Sequence, residues 1–401
     1  MNEKTRDFIE QNINADVRQL ALKGCRDKDV DFNLALRQIA GQQKARQKLP
    51  TWAAADGLLY PQHLSLEQCS SEQTAQYKTK LCRRLTASPD LLVDLTGGFG
   101  VDISFMSKAF GKAIYVEQNE ELFGIVAHNM LQLAPNVACR CGDGVEVLHH
   151  LEHATMIYMD PARRDAHGAR TYGIGDCTPN VLELRDELLQ KADVVVLKLS
   201  PMLDWRKAVE DLGRQHVCEV HIVSTQNECK ELLIVMRQQA DFLQLYCVND
   251  EQTWQVPTST TNSCNNPKNN GNTIGSHSVE AGYYLYEPNA SIMKAGCFKE
   301  VERAFSVRQL APNSHLFVSN EERADFPGRK FHITALTTMN KKELKVALNG
   351  IAQANITVRN FPLTAVQLRQ RLKLKDGSDK YIFATTLCNG QHTLLICQRT
   401  S

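Results

Sequence analysis

The sequence predicts an α/β protein: a doubly wound, mostly parallel sheet, preceded by a helical region and followed by a small α+β unit. Three observations predict it. From Leu91 onward, short apolar runs alternate with amphipathic helical runs, as consecutive βα units require. Residues 91–102, LLVDLTGGFGVD, pass from a short buried strand through a glycine turn into a helix, the place where ligands meet an open α/β sheet. The last unit ends in two β-rich segments, CEVHIVST and NECKELLIVMR, joined by a short polar turn, which reads as a terminal antiparallel hairpin.

Residues 1–80 read mainly as helices. DFNLALRQIAGQQKARQK has apolar residues at helical spacing and is stopped by Pro50; SLEQCSSEQTAQYKTKLCRRL offers Ser65 and Ser70/Ser71 as caps. The basic patch Lys44, Arg46, Lys48 suits either a phosphate backbone or a solvated helix end. Strands are expected at 91–95, KAIYVE (112–117), NVACRCGD, TMIYMDPARR and ADVVVLKLSP (192–201). Helices are expected at VDISFMSKAFG, NEELFGIVAHNMLQLA and WRKAVEDLG, the last ended by Gly213. Residues 251–280 are rich in Asn, Ser, Thr and Gly with little to bury, and read as a loop insertion or linker. GYYLYEPNASIMKAGCFKEVERAF supplies a strand and a helix, and residues 331–399 read βαβαββ with Cys388-Asn389-Gly390 as the last hairpin turn. The expected organisation is a helical region (1–80), the α/β domain (81–250), the linker (251–280), a short piece (281–325) and a basic α+β domain (326–401).

With 401 residues, 43% hydrophobic and 23% charged, the chain can bury cores of two or three domains. A charged start (MNEKTRDFIEQ), no run near the ~18 apolar residues of a membrane span, and scattered cysteines predict a cytoplasmic protein with reduced thiols. The close pair Cys139/Cys141 has no partner pair at zinc-site spacing, so no metal is expected. Residues 326–401 hold 12 Lys and Arg against 3 Asp and Glu, a net +9, while the rest carries 34 against 42, a net −8. Such asymmetry suits a polyanionic partner for the C-terminal domain, or else a solvated basic face.

Two cofactors commonly occupy such a sheet: nicotinamide dinucleotides and S-adenosylmethionine (SAM). Both place a carboxylate at the end of the second strand to accept the ribose hydroxyls. Glu117, 21 residues after Thr96, fits either. In the turn Thr96-Gly97-Gly98, with Gly100 beyond it, the backbone can come close to a ligand because no Cβ intervenes. A dinucleotide fingerprint needs a third small residue after Gly98 and Gly100, where this chain has Ile103. The third strand ends in Gly142-Asp143-Gly144, whose Asp143 can accept the adenine amine. The fourth ends in Asp160-Pro161-Ala162-Arg163, a carboxylate at the sheet's carboxyl edge. Together these strand ends favour SAM.

On these residues the sequence resembles class I SAM-dependent methyltransferases, which have a Rossmann-like fold. In particular it resembles a bacterial family in which that domain precedes a ferredoxin-like piece and a THUMP-like domain. The likeness lies in QCSSEQTAQYK (68–78), VDLTGGFGVD (93–102), VEQNEEL (116–122), MDPARR (159–164), LKLSPMLD (197–204), ECKELL (228–233), YEPNASIMKAG (286–296) and LKLKDGSDKYIFATTL (372–387). It covers most of the chain outside 251–280. It implies SAM as methyl donor, and the THUMP-like domain implies RNA, tRNA or rRNA, as partner; no membrane or protein partner is implied.

Under this resemblance Asp94 supports the glycine turn or approaches the methionine amino group, Glu117 takes the ribose, and Asp143 the adenine amine. The alternative for each is a capping or turn carboxylate. Asp160 resembles the acidic position of Asp/Asn-Pro-Pro-aromatic motifs, whose oxygen accepts a base's exocyclic N–H, so Asp160, Pro161 and Arg163 are the catalytic candidates. Ala162 and Arg163 depart from that motif; an Arg plane can stack on a base or hold a phosphate. Asp-Pro-Ala-Arg is also similar to the Asp-Pro-Pro-Arg of 5-methyluridine enzymes, but their cysteine block is missing after Ser200-Pro201, and Cys229 is a weak substitute. Nitrogen methylation is therefore expected. Arg164 and Lys198, with the cluster Arg369, Arg371, Lys373, Lys375 and Lys380, are the candidate RNA contacts. For Arg164 the alternative is a salt-bridged loop, and for Lys198 a buried ion pair. The loop 164–177, with Gly168, Gly173 and Gly175, is expected to close over substrate, His167 being solvated. Two other readings stand beside this one: an RNA-binding protein with a scaffold methyltransferase domain, and a dinucleotide-dependent oxidoreductase.

Overall fold

The structure, a computed structural model, describes residues 1–163, 173–257 and 279–400. The chain divides into two compact units, residues 1–220 with 231–243, and residues 221–230 with 244–401.

The first unit contains the helical N-terminal region as well as the α/β sheet. Helices Glu3–Asn12, Val17–Lys23 and Phe32–Lys48 start at Asn2, Asp16 and Asp31, each of which caps with its side-chain oxygen. Ile9, Leu20, Ala35 and Ile39 bury a small core among them. Helix Glu72–Leu85 is capped by Ser71 Oγ, which accepts from Thr74 N–H at 3.2 Å. It runs past residue 80, the expected end of the helical region, and buries Ala75, Lys78, Thr79, Leu81 and Cys82.

The sheet strands are β1 (Leu91–Asp94), β2 (Lys112–Glu117), β3 (Val137–Cys141), β4 (Ala154–Met159), β5 (Ala192–Leu199), β6 (Val217–Thr225) and β7 (Glu228–Met236). Their order is β3-β2-β1-β4-β5-β7-β6. β1 lies parallel to β2 and β4, β2 to β3, and β4 to β5, while β7 runs antiparallel to β5. The central strands are apolar on both faces, Val194–Leu197 being wholly buried, as a sheet covered on both sides demands. The strand order reverses between β1 and β4, so their carboxyl ends flank the crevice where such sheets bind ligands. Gly213 ends helix Trp205–Leu212 at φ +86°.

The second unit starts at the tip of the β6–β7 hairpin, where Gln226 and Asn227 both take positive φ (+52° and +59°), as a two-residue hairpin turn requires. β8 (Gln244–Asn249) pairs with β9 (Gln252–Gln255). The sheet thus extends into the segment expected to be linker, because Trp254 has an aromatic partner, Phe305, at 5.4 Å between ring centroids. Most of the remaining expected linker lies outside the described residues.

A seven-stranded sheet completes this unit: β10 (Tyr284–Pro288), β11 (Arg308–Gln309), β12 (Phe317–Ser319), β13 (Gly328–Thr337), β14 (Asn355–Arg359), β15 (Lys380–Thr386) and β16 (His392–Arg399). Its order is β11-β12-β10-β13-β16-β15-β14. From β13 onward the connectivity is the expected βαβαββ, with helices Lys341–Ala347 and Ala365–Leu372. The expected pieces 281–325 and 326–401 therefore share one sheet and one core, in which Leu285 and Val318 pack with Phe331, Phe383 and Leu395. Among the described residues every cysteine is a free thiol, and no helix is long and apolar enough to cross a membrane.

Candidate functional site

Four strand ends reach the carboxyl edge of the first unit's sheet, and each carries a residue that sequence reasoning singled out. At the end of β1, the Asp94 carboxyl is buried and accepts Thr96 N–H at 3.0 Å. Burial pushes its pKa up to about 8, the Thr96 amide pulling the other way. Thr96 Oγ1 accepts Asp160 N–H at 2.6 Å, which ties the turn to the end of β4.

The glycines of the turn divide by physical cause. Gly98 and Gly100 hold φ of +54° and +74°, which favours glycine. A Cβ on Gly97 would lie 2.1 Å from the Tyr115 ring, and one on Gly100 would lie 2.7 Å from Met130 and Val126. Tyr115 is fully buried on β2 and its hydroxyl donates to Gly98 C=O at 2.6 Å. Packing therefore requires glycine at 97 and 100 whether or not a ligand approaches them. Only Gly98 has open space beside it, the nearest atom to an added Cβ being Thr96 O at 3.9 Å.

At the end of β2, Glu117 Oε2 accepts Gly98 N–H at 2.9 Å and Oε1 accepts Asn119 N–H at 2.7 Å. Its main-chain carbonyl accepts Gly142 N–H at 3.0 Å, drawing in the end of β3. Asp143 is exposed there, and its Oδ1 caps helix Gly144–His150 through Val145 N–H at 2.7 Å. Both carboxylates thus also hold backbone, the alternative weighed for them. The residues suit SAM: the turn leaves room at Gly98, and each oxygen of Glu117 keeps a lone pair for a hydroxyl.

Asp160, at the end of β4, is the partly open member of a network that sequence reasoning did not assemble. Its Oδ2 lies 2.5 Å from Lys198 Nζ on β5; the Asp160 side chain is 40% exposed and that of Lys198 12%. Lys198 Nζ is also 3.8 Å from Asp102 Oδ2. Asp102 Oδ2 accepts from Ser70 Oγ at 2.8 Å and Tyr158 OH at 2.7 Å, and its Oδ1 lies 3.1 Å from Lys78 Nζ. Lys78, with no exposed surface, donates to both Glu231 oxygens at 2.7 Å. Burial works against the charge on Lys198, but Asp160, Asp102 and Glu231 outweigh it and raise its pKa. Burial disfavours the Asp102 carboxylate too, but Lys78 and Lys198 keep it below the ordinary value; at Glu231 burial outweighs the same two lysines and pushes the pKa up.

Lys198, expected either to contact RNA or to form a buried ion pair, is paired with Asp160. Ser70, Lys78, Asp102 and Glu231 were missed as site residues. A signal existed, since all four fall in blocks that carried the family resemblance, but no local rule links positions 70, 78, 102 and 231.

Pro161 is buried, and Arg163 lies on a two-residue strand paired with Cys177–Thr178. Arg164 and His167, with most of the loop expected to close, lie outside the described residues. The N-terminal basic patch is engaged internally: Lys44 with Glu67 at 2.7 Å, Arg46 with Asn14 at 2.6 Å, and Lys48 with the carbonyls of Leu66 and Glu67 at 3.0 and 2.6 Å. In the second unit Arg371, Lys373 and Lys375 are exposed, Arg369 pairs with Asp376 at 2.5 Å, and Lys380 Nζ lies 3.4 Å from Gln398 Oε1. Cys229 is half-buried on β7, in the hairpin-tip segment of the second unit.

Comparison with known proteins adds the following. A family profile for a ferredoxin-like domain matches residues 284–327, and one for a THUMP-like domain matches residues 328–399. The crystal structure of a candidate methyltransferase from Porphyromonas gingivalis W83 superposes with a TM-score of 0.84 at 31% identity, covering 100% of both chains. A candidate RNA methyltransferase from Pyrococcus horikoshii gives a TM-score of 0.35 at 15% identity, over 49% of this chain and 99% of that one. A candidate methyltransferase from Streptococcus mutans, solved with S-adenosylhomocysteine (SAH), gives 0.30 at 14% identity, over 40% and 95%. No curated protein matches the chain.

Proposed function

Because this chain belongs to the bacterial methyltransferase family that carries ferredoxin-like and THUMP-like domains after its class I domain, we propose that it is a SAM-dependent methyltransferase that modifies RNA, tRNA or rRNA, at a base nitrogen. The observation that carries this reading is the convergence of Gly98, Glu117, Asp143 and Asp160 on the ends of β1 to β4 in one unit. When bound, SAM supplies an electrophilic methyl group. Gly98 lets it approach the turn, Glu117 accepts its ribose hydroxyls and Asp143 its adenine amine. Asp94 carries charge near the turn only when deprotonated. Asp160 accepts an N–H from the target base and so aims the nitrogen lone pair; positioning and electrostatics carry the rate. Arg163 and Arg164 follow that carboxylate in the sequence and suit a phosphate. Arg371, Lys373 and Lys375, exposed in the second unit, suit the RNA backbone, with Arg369 and Lys380 beside them in the same basic cluster.

The test is calorimetric titration with SAH of the wild type, Glu117→Ala and Asp143→Ala. Micromolar binding in the wild type and its loss in both variants is the expected result; no binding in the wild type refutes the enzyme reading. The scaffold reading is favoured by one observation, the engagement of both Glu117 oxygens by backbone amides, and the same titration decides it.

A further inference from the structure

We propose that Arg329 and Arg359 form a clamp for one phosphate group of the RNA, held in place by the buried carboxylate of Glu287. This rests on the RNA half of the reading above and deepens it by naming a built site in the second unit, apart from the exposed cluster around Arg371.

The strands set the site. Leu285, Phe331 and Phe383 pack in one core. Glu287, Arg329 and Thr385 stand two residues away from them on the same strands, so they share that face of the sheet. Glu287 and Arg329 are register partners on β10 and β13, as are Arg359 and Thr385 on β14 and β15. Three strands lie between β10 and β14 in the sheet order, which in a flat sheet would set them about 19 Å apart. Arg359 Nη2 nevertheless donates to Glu287 Oε1 at 2.9 Å. The sheet is therefore curled, and Arg359 reaches Glu287 across its concave face.

The charges there do not balance. Arg329 Nε donates to Glu287 Oε2 at 2.6 Å, and its Nη2 lies against the same oxygen. Among the described residues no other carboxylate pairs with either arginine, so two cations share one anion. The Glu287 side chain is 5% exposed, those of Arg329 and Arg359 39% and 37%, so the carboxylate lies beneath two open guanidiniums. Each guanidinium has five N–H donors, most of them left over. Held on the two oxygens of one carboxylate, the heads are close enough for a single phosphate to accept from both, the fork geometry that suits arginine. Arg359 Nε and the Thr385 hydroxyl are buried without a partner among the described residues, so this corner holds more polar groups than Glu287 satisfies. The surplus charge is felt nearby: after burial, Arg359 is what holds the His315 pKa below its ordinary value. A tie between β10 and β14 needs only the Arg359 pair. The second guanidinium sets a like charge beside the first, which an anion offsets.

The test uses the full-length protein and a fluorescent, unmodified tRNA transcript, prepared once with a 5′-monophosphate and once with a 5′-hydroxyl. Affinity is read by anisotropy over a range of salt, and thermal unfolding checks each variant. Arg359→Met leaves Glu287 paired with Arg329, and Arg303→Met removes one exposed charge from the same unit as a control. Arg359→Met should weaken binding about tenfold or more, the scale of a charged hydrogen bond, and lower the slope of log affinity against log salt by about 1. Arg303→Met should change affinity by less than about threefold, as a screened charge outside the site does. If Arg359→Met does not fold, Arg359→Lys keeps the charge and the pair with Glu287 but loses the fork, and should weaken binding about three- to tenfold. A loss with both transcripts assigns the clamp to a backbone phosphate, and a loss confined to the 5′-monophosphate form assigns it to the chain end. Wild-type affinity in a folded Arg359→Met protein, or in Arg359→Lys where that one does not fold, overturns the inference and leaves the RNA reading intact. An equal loss in Arg303→Met overturns it too. No binding of either transcript by the wild type refutes the RNA reading itself, and the clamp with it.

Discussion

Replacing Gly98 with alanine separates ligand approach from packing at the glycine turn. Gly98 sits at φ +54° with no atom within 3.9 Å of an added Cβ, so the only cost to the fold is the left-handed backbone, about 1–2 kcal/mol. That corresponds to a fall in Tm of about 2–8 °C for a unit of this size. The methyl group would stand in the open space where the proposed cofactor meets the turn, so SAH affinity should fall at least tenfold, about 1.4 kcal/mol. Gly97→Ala is the contrast. Its Cβ would lie 2.1 Å from the buried Tyr115 ring, whose hydroxyl is anchored to Gly98 C=O, so it should destabilise by about 1–3 kcal/mol or more through overpacking. Thermal unfolding and calorimetric titration with SAH read the two effects separately. A Gly98→Ala protein that folds and binds SAH like the wild type would show that the ligand does not pass this turn.

Two further outcomes are expected. Burial raises the Asp94 pKa to about 8, so the folded protein keeps a proton that the unfolded chain loses near pH 4. The stability from this group is complete below that value and is lost as pH rises towards about 8. Asp94→Asn keeps the oxygen that accepts Thr96 N–H but does not titrate. Its advantage in urea unfolding should therefore widen by about 2–3 kcal/mol between about pH 6 and pH 8; a constant gap contradicts the assignment. On the RNA side, Arg371→Glu/Lys373→Glu/Lys375→Glu changes three exposed cations. It should weaken RNA binding and reduce the slope of log affinity against log salt by about 2–3. An unchanged slope, measured by fluorescence anisotropy, removes these residues from the interface.

What the sequence determined by itself was the βα alternation, the strand ends and the residues at them. Those follow from local chemistry: apolar period, glycine turns, caps and short polar turns act over a few neighbouring residues. Hence Asp94, Glu117, Asp143 and Asp160 could be picked out from the chain as residues at successive strand ends. The tertiary structure alone decided what those residues touch. Lys78 on an N-terminal helix, Asp102 after the glycine turn and Glu231 on the last hairpin meet because the sheet order brings β7 beside β5 and the helix Glu72–Leu85 against Val101–Met106. No period or motif encodes a pairing across 153 residues. The same holds for Gly97 and Gly100, on which the Tyr115, Met130 and Val126 side chains pack, Gly100 also holding a φ of +74°. Lys198 likewise belongs with Asp160 rather than with solvent because neighbouring parallel strands place their ends side by side and burial leaves the ammonium no better partner.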